Sequence, residues 1–171
     1  MNLYQNDYAP EEPSMETISK AARYLANGKV VGWYQGHGEI GPRALGNRTL
    51  MFDPRVPNGK DIVNTIKRRE HFRPFAGSCL EEHVHEWFDL AGMKNSPFMM
   101  YAVNVLPEKI GDIPAITHVD GTCRIQTVKR EQNPHYYDLI KAFHAKTGIP
   151  IIFNTSFNLG ADPLVETLDD A

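Results

Sequence analysis

The residues best suited to chemistry are basic and are concentrated in one stretch of the chain. Between positions 41 and 73 the 171-residue sequence contains eight Lys and Arg residues against three Asp and Glu, a local charge of +5. The whole chain carries −3, so the remainder is acidic, at −8. Guanidinium groups clustered in an otherwise acidic protein indicate a site for a compact anion, although a solvated basic face is the alternative.

The first basic motif is GPRALGNR at 41–48, which follows a strand and a glycine-rich turn. It places Arg43 and Arg48 five residues apart. Glycines let a backbone approach a ligand closely, and guanidinium groups hold phosphate oxygens in bidentate fashion. The motif therefore predicts an anion-binding turn, although its spacing matches neither a P-loop nor a dinucleotide fingerprint.

The second basic motif is IKRREHFRPFA at 66–76, around a predicted helix end. Lys67 and its neighbours point in different directions from a helix, so only one or two of these cations can enter one pocket. Arg73 precedes Pro74, which holds it in an extended conformation. We therefore favour Arg73 over Arg69 as a ligand.

Two polar groups lie on or after predicted strands. Arg124 and Gln126 share one face of a strand, where either a ligand or solvent could be their partner. Asn154, Ser156 and Asn158 follow an apolar strand, and ligands of α/β sheets bind beyond the carboxyl ends of strands. A self-satisfied Asx or hydroxyl turn is the alternative reading of this segment.

Helices and strands are predicted to alternate in one α/β (α+β) domain over 14–171, with a twisted mixed sheet. Residues 1–13 are predicted to be a disordered or extended lead. The predicted helices are one from Ser14 to Gly28, a short one at Pro42, one marked by apolar residues at 62, 63 and 66 that ends in the basic residues 67–69, one over 81–90 and one from Pro134 to Gly148. The predicted strands are 29–34, 50–52, 75–80, a buried strand over 98–105, 122–128 and 149–153. Thr167 and Asp170 resemble a capping box, from which we hypothesise that the chain is a fragment cut at a C-terminal helix.

Composition excludes several classes of protein. The sequence has no apolar run long enough to span a membrane and no basic stretch followed by an apolar run at its start, from which we expect a cytoplasmic location. Cys79 and Cys123 form no CxxC pair, and the histidines form no HExxH motif, so we predict no metal site in this chain. The negative net charge makes nucleic acid an improbable partner.

Taken together, four segments resemble the C-terminal region of the O-carbamoyltransferases of antibiotic and nodulation-factor biosynthesis. The matching segments are GPRALGNR at 41–48, IKRRE and FRPFA within 66–76, HVDGTCRIQTV at 118–128 and NTSFN at 154–158. Four motifs in the same order are far more specific than any one of them. The resemblance implies a YrdC-like domain, in which a twisted mixed sheet flanked by helices surrounds a basic cavity.

The resemblance also implies a reaction. This domain would bind ATP with Mg²⁺ and form carbamoyl adenylate. A separate N-terminal Kae1-like domain of the same polypeptide would hold a catalytic metal, release carbamate from carbamoyl phosphate and transfer the carbamoyl group to an acceptor hydroxyl. The residues that the resemblance assigns fall into two groups: Lys67, Arg73 and Arg124 as catalytic cations, and Arg43, Arg48, Asn154, Ser156 and Asn158 as nucleotide- or carbamoyl-binding residues. Among these, we expect Arg48 mainly to hold the 41–48 turn in place.

Two other functions stay open on the sequence. One is an RNA-binding YrdC-like module, because the basic segment is a plausible track for phosphates. The other is a non-catalytic docking domain whose cavity only receives an intermediate from its partner domain.

Overall fold

Alternating helices and strands build the chain between residues 12 and 171, the part that the computed structural model describes. The α-helices are α1 (Met15–Ala26), α2 (Gly59–Ile66) and α3 (Pro134–Thr147). The strands are β1 (Val31–Tyr34), β2 (Arg48–Phe52), β3 (Ala76–Leu80), β4 (Phe88–Asp89), β5 (Ala102–Val105), β6 (Thr122–Val128) and β7 (Ile151–Ser156). Two 3-10 helices cover Glu81–Glu86 and Pro107–Asp112.

The seven strands form one mixed sheet in the order β1-β2-β7-β3-β6-β5-β4. β3 and β6 pair in parallel, with Ser78 opposite Gln126, and the other described pairs are antiparallel. β7 lies on the other side of β3, with Asn154 opposite Ala76. The sheet thus brings the polar residues of β3, β6 and β7 side by side at its centre. This arrangement confirms the predicted α/β class and mixed sheet.

Local sequence signals explain where the two long helices begin and end. The Ser14 side chain accepts a hydrogen bond from the Thr17 amide at the start of α1, and Asn133 accepts one from Tyr136 at the start of α3. Gly148 ends α3 with a φ of 76°, in the left-handed region that favours glycine. The apolar faces of α1 and α3 pack against each other, and α3 also contacts β3 and β7. Helix α3 therefore lies on the sheet directly over its central strands.

Three predicted elements differ from the structure. No helix begins at Pro42, because residues 36–47 form an irregular loop whose amides bond to a side chain. The helix predicted over 81–90 is a 3-10 helix followed by the short strand β4, which pairs with β5. The strand predicted over 98–105 begins only at Ala102, and its residues alternate between exposed and buried because it lies near the edge of the sheet.

The ends of the chain bear on two further predictions. The lead predicted over 1–13 lies almost entirely outside the described residues. Near the other end, the Asp170 amide donates to Thr167 Oγ1, and the Asp170 carboxylate accepts from the Thr167 amide, at 3.2 and 2.9 Å. These are the reciprocal bonds of a capping box. The described helices are all too short or too polar to cross a membrane.

Candidate functional site

Four arginines line one cavity at the centre of the sheet. Arg43 comes from the loop before β2, Arg69 and Arg73 come from the segment between α2 and β3, and Arg124 lies on β6. The cavity has a volume of about 350 Å³, within the usual size range of small-molecule sites. Its remaining wall is formed by Pro42, Ala44, Pro74, Met99, Asn154, Thr155 and Ser156. Of the cations predicted for the site, the structure therefore brings together Arg43, Arg73 and Arg124.

The two arginines that precede β3 are held by different contacts. Arg69 donates from Nε to Asn64 Oδ1 at 2.7 Å, and its guanidinium lies 4.4 Å from the centre of the Phe75 ring. Arg73 is half exposed and pairs with Glu70 at 2.8 Å. Arg69 is thus the more firmly fixed of the two. Sequence reasoning favoured Arg73 alone, because the turn that directs Arg69 toward the sheet has no signature in the sequence.

The cavity is positively charged and has no acidic side chain in its wall. Burial lowers the pKa of Arg69, and the charges of Arg73 and Arg124 lower it further. Burial likewise lowers the pKa of Arg124, with a further contribution from the charge of Arg43. The buried Nε atoms of Arg43 and Arg124 have no hydrogen-bond partner. Mutual repulsion and unmet donors together indicate a site that an anion would complete.

The loop over 36–47 carries Arg43 and is held by an internal carboxylate. Glu39 accepts hydrogen bonds from the amides of Leu45, Asn47 and Arg48, at 2.6, 3.0 and 3.3 Å. Because three amides converge on one side chain, the loop keeps a defined shape without regular secondary structure.

Arg48, which the sequence places among the ligand-binding residues but mainly as a support of the 41–48 turn, faces the protein rather than the cavity. Its guanidinium donates to the carbonyls of Gln35, Asn47 and Gly36 and stacks on the Tyr34 ring at 3.6 Å. Its side chain is buried and does not line the cavity wall. These contacts place Arg48 beneath the 41–48 turn, where it joins that turn to β1.

Lys67 is buried behind the cavity wall instead of lining it. Its ammonium donates to the carbonyls of Ser156 and Asn158, at 2.6 and 2.9 Å, and to Asn158 Oδ1 at 2.8 Å. Ser156 Oγ, which does line the cavity, lies 3.4 Å from the same nitrogen. Burial, followed by the charge of Arg69, lowers the pKa of Lys67 to about 8. Lys67 therefore holds the end of β7, and only the Ser156 side chain separates its ammonium group from the cavity.

Replacing Lys67 by methionine is expected to lower the free energy of unfolding by about 1 kcal/mol, because three part-buried acceptors lose their donor while the cost of burying the ammonium is removed. Urea denaturation measures the change. Lys146→Met is the matched control, since Lys146 is exposed at the end of α3 and its replacement should change stability little. Equal stability of the two variants would contradict this role for Lys67.

The pH dependence of stability measures a separate quantity, the cost of burying the Lys67 charge. The unfolded chain holds the Lys67 proton up to its ordinary pKa of 10.5, whereas the native state releases it near 8. Between these pH values the unfolded state binds more protons at Lys67, so this group makes native stability rise with pH, whereas the buried thiols of Cys79 and Cys123, whose pKa is raised by burial, act in the opposite direction in both proteins. The free energy of unfolding of the wild-type protein, relative to that of Lys67→Met, should therefore increase between pH 8 and pH 10.5.

The polar residues at the end of β7 divide between the cavity and its support. Asn154 and Ser156 line the cavity, whereas Asn158 contacts Lys67 and the backbone carbonyl of Asp162.

Met99 is a cavity residue that was not predicted from the sequence. It forms a buried apolar part of the wall and has a φ of 54°, and a left-handed backbone at a methionine has no sequence signal.

A larger cleft of about 760 Å³ lies elsewhere, between β2, α2 and residues 157–171. Most of its lining is apolar, and its charged residues are all acidic: Asp162, Glu166 and Asp170. An anion would be repelled there, so the smaller arginine-lined cavity is the better candidate. Within residues 12–171, no cluster of His, Cys, Asp or Glu side chains is arranged to hold a metal ion.

Comparison with known proteins adds the family. The family model described as the carbamoyltransferase C-terminus matches residues 22–171. This chain belongs to the carbamoyltransferase C-terminal family. The resemblance inferred from the four motifs is thereby confirmed.

Relatives of this carbamoyltransferase C-terminal domain are much longer proteins. Nodulation protein NolO of Bradyrhizobium diazoefficiens is 51% identical over 160 residues, which cover 92% of this chain and 29% of NolO. The 3'-hydroxymethylcephem-O-carbamoyltransferase of Amycolatopsis lactamdurans is 39% identical over 150 residues, or 85% of this chain and 27% of that protein. The chain thus spans less than a third of the length of these relatives.

The fold of the carbamoyltransferase C-terminal domain also has a solved counterpart. The crystal structure of E. coli YciO superposes with a TM-score of 0.57 at 16% identity, covering 86% of this chain and 66% of YciO. YciO has a YrdC-like fold, so the predicted YrdC-like architecture is confirmed.

Proposed function

We propose that this domain binds the phosphates of ATP in the four-arginine cavity and forms carbamoyl adenylate there. The convergence of Arg43, Arg69, Arg73 and Arg124 on a cavity without acidic lining carries the proposal. Four guanidinium groups in one small cavity repel one another, and a polyanion such as a triphosphate relieves that repulsion. Membership of the carbamoyltransferase C-terminal family supports a carbamoyl group as the second substrate.

In the proposed step, a carbamate oxygen attacks the α-phosphorus of ATP. The bond between that phosphorus and the bridging oxygen of pyrophosphate breaks, and pyrophosphate leaves with the electron pair. Negative charge spreads over the phosphate oxygens, so positioned cations stabilise the transition state without a protein nucleophile. The positive charge at the cavity wall comes from Arg43, Arg69, Arg73 and Arg124. Lys67 adds a further positive charge behind the wall, next to Ser156.

We expect Mg²⁺ to enter with ATP, bound to phosphate oxygens, because the cavity wall contains no carboxylate. Asn154, Thr155 and Ser156 are the neutral polar residues of the wall and would contact the carbamoyl or α-phosphate end. The Asn154 Oδ1 atom, which is buried without a partner, would accept a hydrogen bond from the carbamoyl NH2 group. Transfer to an acceptor hydroxyl would need the rest of a longer polypeptide. There the N-terminal Kae1-like domain would take carbamate from carbamoyl phosphate.

Exchange of labelled pyrophosphate into ATP tests the proposal on the chain itself. Ammonium carbamate supplies the second substrate, and acetate replaces it in the control reaction. We expect exchange that depends on carbamate and Mg²⁺, together with calorimetric binding of ATP. A chain that melts cooperatively but neither binds ATP nor supports exchange would contradict the proposal. Binding of RNA without binding of ATP would favour the RNA-binding alternative.

A further inference from the structure

A buried polar network lies beneath the arginine cavity and crosses three neighbouring strands. Its members are Ser78 on β3, Gln126 on β6 and Asn154 on β7, all with at most 6% of their surface exposed. Ser78 Oγ donates to Gln126 Oε1 at 2.8 Å, and Asn154 Nδ2 donates to Ser78 Oγ at 2.8 Å. Each side chain is thus fixed by its neighbour on the adjacent strand.

The same network also holds the loop that carries Arg43 through two hydrogen bonds. Asn154 Nδ2 donates to the Ala44 carbonyl at 3.0 Å, and Gln126 Nε2 donates to the Leu45 carbonyl at 2.9 Å. These are the two consecutive peptide carbonyls that follow Arg43 in the chain. Side chains of β6 and β7 therefore hold the backbone that carries Arg43, and Ser78 on β3 links those two side chains.

Gln126 has no free polar group with which to bind a ligand. Its amide nitrogen is used by Leu45 and its amide oxygen by Ser78, and it does not line the cavity. Arg124, two residues earlier on the same strand face, does line the cavity. Of the two polar residues on this face of β6, Arg124 thus lines the cavity and Gln126 supports the loop beside it.

We propose that Gln126 is a positioning residue, which acts through the Leu45 carbonyl to keep Arg43 in the anion cavity. The proposal rests on the proposed function, because it concerns how that same cavity binds its anion. Fixed geometry matters here because a site binds its anion less tightly when the guanidinium group of an arginine is misplaced by about an ångström. Glu39 holds amides of the loop and Arg48 holds the carbonyls at its two ends, Gly36 and Asn47. Gln126 and Asn154 hold the two carbonyls that directly follow Arg43.

A double-mutant cycle on binding of inorganic pyrophosphate tests the proposal. Gln126→Met keeps the length of the side chain and removes both hydrogen bonds. It should weaken binding about tenfold in the wild-type protein and about tenfold in Arg73→Ala, because Arg73 comes from another segment. In Arg43→Ala it should change binding by less than about twofold, since the arginine through which it acts is gone.

The outcomes are separable. A merely structural role would weaken binding by the same factor in all three backgrounds, and that result would overturn the proposal. Ser78→Ala, which removes the bonds of Ser78 to Gln126 and Asn154 and leaves the Leu45 contact, gives a milder second cycle if Gln126→Met does not fold. A folded wild-type chain that fails to bind pyrophosphate would instead refute the anion site itself, and with it both proposals.

Discussion

ATP binding is expected to weaken on the order of 100-fold when Arg124 is replaced by alanine. Arg124 stands on the central strand β6, is partly buried in the cavity wall, and has a buried Nε without a partner. A charge-assisted hydrogen bond to phosphate contributes more in such a place than at an open surface. Calorimetric titration of ATP with Mg²⁺ into both proteins measures the difference.

Arg130→Ala is the matched control for this prediction. It removes the same charge, but Arg130 is exposed and pairs with Asp138 at 3.1 Å, away from the residues that line the cavity. We expect it to change affinity by less than about threefold, through long-range electrostatics only. Equal losses in the two variants would mean that ATP responds to net charge and not to this cavity.

A second large effect is expected for stability. Gly46→Ala should lower the free energy of unfolding by about 4 kcal/mol. A β-carbon at this position would lie within 2.8 Å of three ring atoms of Tyr136, which is fully buried on α3. The backbone φ of 110° is also unfavourable for any residue with a side chain. The ring and the loop cannot both keep their places.

Gly38→Ala provides the comparison within the same loop. Gly38 has open space where a β-carbon would stand, so this variant should unfold within about 0.5 kcal/mol of the wild-type protein. Urea denaturation of the three proteins gives the values. If Gly46→Ala were as stable as Gly38→Ala, the Tyr136 ring would not be packed closely against the loop at Gly46.

Much of the fold is readable from local patterns. Helix α3 was predicted from Pro134 to Gly148 because its cap, apolar spacing and terminal glycine all act within a few residues. Strand β6 was predicted with the bounds that the structure has, over 122–128. The segment over 81–90 was predicted wrongly, because its apolar residues fit helical spacing while pairing with β5 turns Phe88 and Asp89 into a strand.

For the site, the residue types and the positive charge were evident in the sequence, and the four motifs identified the family. The sequence did not show which of those residues line the cavity and which support its wall. Lys67 and Arg69 are two residues apart, yet the turn after α2 sends one ammonium to the end of β7 and one guanidinium to the cavity. Gln126 and Arg124 share one strand face, yet only Arg124 reaches the cavity wall.

The physical reason lies in the range of the interactions. Charge, capping and apolar periodicity depend on residues near one another in the chain, so the sequence by itself predicted a site for an anion, determined most of the element types and identified the family. Whether a cation binds a ligand or a carbonyl depends on partners far away in sequence. Lys67 meets acceptors 89 and 91 residues later, and Gln126 meets a carbonyl 81 residues earlier. Only the order and register of the strands bring those partners together.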